Sequence, residues 1–159
     1  GRAFALYNLA NVETNAHRFD SAAEHFAEAE ALFSAGALAV LAADCRYGSA
    51  YLEFRRGRYA EAQAALERSR EEYAALEKPG GPALCTLDLA ELFLKLEAYR
   101  DAARAARSAA EDFAELGLLA ERARALYFQA LAEQRLDAPA AAERALEAAA
   151  GLWRQLGHQ

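Results

Sequence analysis

An aromatic residue returns every forty positions along this chain: Phe33, Tyr73, Phe113 and Trp153. Aromatics are 10% of the sequence, so a column filled four times arises by chance roughly once in ten thousand. A second column holds Phe19, Tyr59, Tyr99 and Pro139, and a third holds Tyr7, Tyr47, Leu87 and Tyr127. Alanine fills all four places at 3/43/83/123, at 10/50/90/130 and at 22/62/102/142. The phase runs through the 159 residues without insertion or deletion. Such a chain is four copies of one supersecondary unit.

Inside each copy the apolar spacing is helical. In the first, Leu6, Leu9, Ala10 and Glu13 share a stripe with Val12 beside it; Phe19, Ala22, Ala23, Phe26, Ala29 and Phe33 then follow the i, i+3, i+4, i+7 pattern. Short breaks separate the halves, and they predict helices over 3–16, 19–35, 39–55, 59–76, 83–96, 99–116, 119–136 and 139–156. Gly57 suits a left-handed helix end, and Asp137 with Pro139 suits a helix start. Between copies stand Gly36, "EKPGGP" at 77–82, Gly117 and Gly157. A lone hairpin cannot bury both of its apolar faces, so the copies must stack. The expected fold class is all-α, a solenoid of four helix–turn–helix repeats at 3–38, 43–78, 83–118 and 123–158 in a single domain. The segment 77–82 is read as a turn between repeats, not a domain linker.

Composition narrows the function. The chain is 55% hydrophobic and 26% charged, with three prolines and nine glycines, which excludes disorder and favours helix. A net charge of −6 argues against nucleic acid, which needs a basic footprint; the cluster Arg55, Arg56, Arg58 is read as a solvated helix end. The longest apolar run, "GALAVLAA" at 36–43, is too short to span a membrane. Two cysteines, Cys45 and Cys85, are too few for a disulfide scaffold and predict a reduced, cytoplasmic setting. They fill equivalent places, with Ala5 and Ala125 in the other copies, as expected of a small packed position. No G-x-S-x-G, H-E-x-x-H, P-loop or G-x-G-x-x-G occurs. The reading is no enzyme, no catalytic residue, no cofactor and no metal. His17, His25 and His158 fall at unrelated phases and are read as exposed helix surface. Glu13, Glu53 and Glu133 recur forty or eighty apart; they are read as hydrogen-bonding at helix contacts, not as a catalytic pair. The chain opens on Gly1-Arg2 and contains no methionine, and is read as part of a longer protein.

The pattern resembles a tetratricopeptide repeat (TPR) array. The residues carrying the likeness are Leu6, Leu9, Ala10, Ala22, Phe26 and Ala29 in the first copy and Ala50, Tyr59, Ala62, Leu66 and Ser69 in the second. Leu89, Ala90, Tyr99, Ala102, Ala106 and Ala109 carry it in the third, and Leu126, Ala130, Ala142, Leu146 and Ala149 in the fourth. There are departures. Glu13, Glu53, Phe93 and Glu133 stand where the family has a tyrosine, and Leu6, Arg46, Thr86 and Leu126 where it has a tryptophan. The closing proline is missing, and the period is forty, read as a longer second helix. The longer period is similar to arrays of bacterial multidomain proteins, including those joined to CHAT-type proteases and to signalling regulators. The resemblance implies a right-handed superhelix whose first helices line a concave groove for a peptide or protein segment.

Transferring the family's groove positions gives three columns: Tyr7, Tyr47, Leu87, Tyr127; then Asn11, Tyr51, Glu91, Leu131; then Asn15, Arg55, Lys95, Arg135. Asn8, Asp44, Asp88 and Arg124 lie nearby. The tyrosines either offer contact area to a ligand or pack between first helices; the basic column either favours an acidic ligand or is a solvated edge. Only Asn11 fits the family's clamp for a C-terminal carboxylate, among Tyr7, Asn11, Gly48, Leu84 and Asp88. Phe33, Tyr73 and Phe113 are expected to pack toward a following repeat. Leu152, Trp153 and Leu156 would then form an apolar end face, open to self-association or to the continuing chain. The expected role is a protein-interaction module; the alternative is a spacer or oligomerisation segment of a larger bacterial regulator.

Overall fold

A computed structural model describes residues 1–157. Its eight helices are α1 (Arg2–Asn15), α2 (Phe19–Ala35), α3 (Ala39–Arg55), α4 (Tyr59–Ala75), α5 (Gly81–Lys95), α6 (Tyr99–Glu115), α7 (Leu119–Arg135) and α8 (Pro139–Gly157). They match the expected helices within about two residues. First helices have 14, 17, 15 and 17 residues and second helices 17, 17, 17 and 19. The second helix is thus longer by two or three residues in three of the four copies, and equal to the first in the remaining one.

The turns between them are evenly spaced. Residues 17, 37, 57, 77, 97, 117 and 137 all have φ between 50° and 79°. At each, the next residue's N–H bonds the carbonyl five residues back, as in Arg18 to Glu13 (2.8 Å), Leu38 to Phe33 (2.9 Å) and Leu118 to Phe113 (2.9 Å). The left-handed residue itself bonds the carbonyl three back, as in Gly57 to Phe54 at 3.0 Å. This is a Schellman motif, repeated every twenty residues, and it satisfies carbonyls that the helix end would otherwise orphan. Gly36 has an ordinary φ of −84°; the left-handed residue there is Ala37. Asp137 likewise closes α7, leaving Pro139 alone to open α8, and Gly157 lies inside α8.

Only Gly57 and Gly117 among the seven are glycine. An L-residue held left-handed costs about 1–2 kcal/mol, less for histidine or aspartate. Ala37→Gly is therefore expected to raise the stability of its unit by about 1 kcal/mol. Gly57→Ala should lower it by a similar amount, and since an added Cβ there meets nothing within 4 Å, the cost is the backbone's alone. Urea unfolding of both variants checks the opposite signs.

The chain divides into two compact units, one from Gly1 to Lys78 and one from Pro79 onward. The division falls in "EKPGGP", where left-handed Gly80 delays α5 to Gly81. In the first unit the second helices bury one stripe: Ala22, Phe26, Ala29 and Phe33 on α2, and Ala62, Leu66, Ser69 and Tyr73 on α4. The α2 stripe meets Ala10 of α1 and Ala42, Cys45 and Leu52 of α3 in one cluster. Gly48 is why α3 can approach: a Cβ there would lie 2.4 Å from the Phe26 ring. In the second unit Phe113 packs with Ala109 and Ala110 of α6, Ala83 and Leu87 of α5, and Ala125 of α7. Phe33 and Phe113 thus reach the following first helix, as their column requires. The α1 stripe is corrected: Ala10, Glu13 and Thr14 are buried, whereas Leu9 and Val12 face outward, Val12 at 60% exposure.

Candidate protein-interaction surface

In the first unit, α1 and α3 lie side by side and carry eight of the proposed groove residues. Tyr7 is half-buried with its ring 6.0 Å from that of Phe26. Burial pushes its phenol up from the usual value, against the hydrogen bond of Asn11. Asn11 donates its side-chain N–H to the Tyr7 carbonyl at 3.0 Å, one helical turn back. Asn8 is exposed. Asp44 accepts from the Tyr73 hydroxyl at 2.7 Å and pairs with Lys78. Tyr47 stacks beside Tyr73, centroids 5.8 Å apart, and Tyr51 beside Phe54 at 5.7 Å. Arg55 reaches across to Asn15 of α1, Nη1 to Oδ1 3.4 Å, so two members of the third column meet. The tyrosines combine packing with partial exposure.

In the second unit, Arg124 of α7 lies 3.8 Å from Asp88 and 3.7 Å from Glu91 of α5. Asp88 is buried, so it holds Arg124 rather than offering a surface. Arg135 stands over the Tyr99 ring at 5.8 Å, and Lys95 is exposed. Tyr127 is exposed and neighbours Trp153, centroids 5.9 Å apart. Trp153 is 42% exposed and Leu146 48%, while their column-mates Phe33, Tyr73 and Phe113, and Phe26, Leu66 and Ala106, are buried. Between α7 and α8 a recess of about 290 Å³ is lined by Tyr127, Leu131, Pro139, Ala142 and Leu146. Leu152 and Leu156 are half-buried on the same helix.

Three polar clusters were not resolved by sequence spacing. Arg46 is clamped between helices: Nε donates to Glu72 Oε2 at 2.9 Å, Nη2 pairs with Glu72 Oε1, and Nη1 donates to Glu30 Oε1 at 2.6 Å. The Glu72 and Glu30 carboxylates hold this guanidinium above its usual range. Arg56 is no solvated end: it is mostly buried, pairs with Asp20 at 2.7 Å and Glu53 at 3.1 Å, and lies over the Phe19 ring. His25 is also not free surface. Its Nδ1 lies 2.7 Å from Glu13 Oε2, while the Ser21 hydroxyl donates to Glu13 Oε1 at 2.6 Å. His17 is the exposed left-handed turn residue, and His158 lies outside the described residues. Cys45 and Cys85 are fully buried, and burial pushes the Cys45 thiol up to about 11, which makes it unreactive at neutral pH.

The Ser21 bond, ahead of the opposing burial and the His25 contacts, holds the Glu13 carboxyl below its ordinary value of 4.5. A depressed carboxylate contributes stability that is present above the unfolded pKa and lost as pH falls through the folded one. Ser21→Ala should therefore flatten the fall in stability below pH 4.5. Urea titrations at a series of acid pH values measure it; parallel limbs for variant and parent would remove Ser21 from the account.

No protein-family model matches the chain, and no curated protein matches it. Solved structures do. BtubC (BKLC) from P. vanneervenii is 14% identical with a TM-score of 0.82, covering 99% of this chain and 65% of that one. The chain thus spans about two thirds of BtubC's length. The nearly identical TPR-like repeats of a Podosopora anserina protein described as a kinesin light chain match at 12% identity and TM-score 0.57, over 99% of this chain and 98% of theirs. A single-substitution variant of it matches at the same identity and TM-score. Nothing among these matches supports the narrower CHAT-associated type. No helix among the described residues is long and apolar enough to cross a membrane. The likenesses establish the fold, an all-α array of TPR-like helix–turn–helix repeats of the α-solenoid class.

Proposed function

We propose that the chain is a protein-interaction module that takes a peptide or protein segment on the first helices of its repeats. The observation that carries this reading is the convergence of half-buried Tyr47 and Tyr51 with Arg55 on one face of α3, beside Asn11 and Asn15 of α1. Aromatics already held by neighbours present contact area at little ordering cost, and Arg55 favours a carboxylate-bearing segment. The test is selection of random displayed peptides on the chain. Acidic, aromatic-bearing sequences are expected, with enrichment lost for the triple variant Tyr47→Ala, Tyr51→Ala, Arg55→Ala. That variant should keep its helical circular dichroism. Its collapse would instead assign the three residues to packing.

A second reading, a spacer or oligomerisation segment in a larger bacterial regulator, is favoured by the exposure of Trp153 and Leu146. Light-scattering mass over a concentration series separates the two. A dimer that Trp153→Glu dissolves supports the second; a monomer at every concentration removes self-association.

A further inference from the structure

Two helices leave open a face that their counterparts bury. On α3 and α7, Cys45, Leu52, Ala125 and Ala132 have almost no exposed surface. Each shares a core cluster with the second helix that precedes it. Cys45 and Leu52 join Phe26 and Phe33 of α2, Ala125 joins Phe113 of α6, and Ala132 joins Ala102 and Ala103 of α6. The same positions on α1 are Ala5 and Val12, and both are exposed. The positions on α8 that match Phe26 and Phe33 are Leu146 and Trp153, exposed as well. By its residues α1 suits a second helix laid against it, and α8 suits a first.

The two open faces also repeat an internal contact. In the second unit Ala109, Ala110 and Phe113 of α6 pack with Ala125 of α7, and Leu126 lies against them. One period on, α8 carries Ala149, Ala150 and Trp153; three periods back, α1 carries Ala5 and Leu6. Four of these five positions hold the same residue, and the fifth exchanges one large aromatic for another.

Charge favours α1 over α3 as the helix that α8 takes. Where α2 meets α3, Glu30 pairs with Arg46 and Asp20 with Arg56. The matching residues on α8 are Ala150 and Ala140, which would leave either arginine without its carboxylate. On α1 the arginine positions hold Leu6 and Ala16, uncharged in their turn. Arg107 of α6 pairs with Glu133 of α7, and there the counterparts are Glu147 and Glu13. Glu13 needs no donor from α8. Ser21 and His25 meet both of its oxygens, as Arg56 and Arg58 meet those of Glu53. Glu147 is exposed and free to turn to solvent.

We propose that α8 of one copy docks α1 of a second copy as α6 docks α7. Ala150 and Trp153 close on Ala5 and Leu6, and Leu146 closes on Val12. This contact rests on the oligomerisation reading above and supplies its partner surface. Because the two patches differ, every copy keeps one of each free, and association runs past a dimer.

Sedimentation over a concentration series tests this on the parent chain, on Ala5→Glu, on Trp153→Glu and on an equimolar mixture of the two variants. The parent's mass should climb beyond that of two copies. Both substitutions replace exposed residues, so each variant should keep its helical circular dichroism. Each alone should associate at least about tenfold more weakly than the parent. The mixture should give a one-to-one dimer and nothing larger, since the intact α8 of Ala5→Glu meets the intact α1 of Trp153→Glu. Leu146→Glu should behave as Trp153→Glu does, which separates loss of the contact from any effect of Trp153 on folding. A mixture that stays monomeric would overturn the proposal. So would an Ala5→Glu protein that associates as well as the parent, although self-association through α8 would then stand. A parent that is monomeric at every concentration would remove both.

Discussion

Phe113→Ala is expected to cost the second unit about 3–5 kcal/mol, the range for emptying a fully buried aromatic site. Phe113 has no exposed surface and touches three helices of its unit through Ala83, Leu87, Ala109, Ala110 and Ala125. Four of its neighbours are alanines, which have no rotamers with which to refill the space, while Leu84, Leu87, Leu126 and Phe128 can shift toward it. Phe113→Leu, which keeps most of the volume, should cost less than half as much. Denaturant melts of the two variants give the comparison, and equal losses would show that the ring's shape matters more than the volume it fills. Because the carbonyl of Phe113 also accepts the turn bond from Leu118, both variants keep the backbone capping and isolate the side chain.

Gly48→Ala carries the second large effect. Its Cβ would sit 2.4 Å from Phe26 Cε1 and 2.6 Å from Cζ, inside any tolerable contact. Phe26 is itself fully buried, so the ring has no open space to enter and α2 and α3 must separate. Overpacking of this kind costs about 1–3 kcal/mol, in spite of alanine's better helix propensity, worth about 1 kcal/mol in the other direction. Phe26→Leu in the Gly48→Ala background should recover part of the loss. The second unit supports this size exchange, since the equivalent pair is Ala106 and Phe128, with the large member on the other helix. A stable Gly48→Ala protein with unchanged unfolding would contradict the close approach.

Periodicity made the helices legible because burial imposes it: a residue covered in one copy is covered in the next unless an end intervenes. That reasoning located Phe33, Phe113 and Trp153 and failed at Val12 and Leu9. Val12's column-mates Leu52 and Leu92 and Leu9's column-mate Leu89 are buried, but α1 exposes the corresponding face. Turn positions were half legible. Gly57 and Gly117 announced a left-handed residue, whereas Ala37, Glu77 and Glu97 gave no chemical sign of one; only the spacing of twenty from the glycines marks them. The surface was least legible. Spacing placed Asp44, Asp88, Arg124 and Arg55 on first helices, but whether a charge faces solvent or a partner depends on reach between helices. Thus Asp88 is buried beside Arg124, and Arg46 is spent between Glu30 and Glu72. The glutamates at 13, 53 and 133 were visible as a column, and the donors that complete two of them were not.

The twenty-residue turn spacing implies that backbone geometry alone does not tell a first helix from a second. The distinction is written at the residue whose carbonyl closes each turn: Glu13, Phe33, Glu53, Tyr73, Phe93, Phe113, Glu133. Carboxylate and aromatic alternate there, with Phe93 the one exception. The chain therefore has a parity. Duplication or loss of forty residues preserves the alternation, while a shift of twenty would keep every turn intact and set two aromatic, or two acidic, helices in succession. Growth of such a protein by recombination is quantised in pairs of helices by side chains, although its main chain counts in single ones.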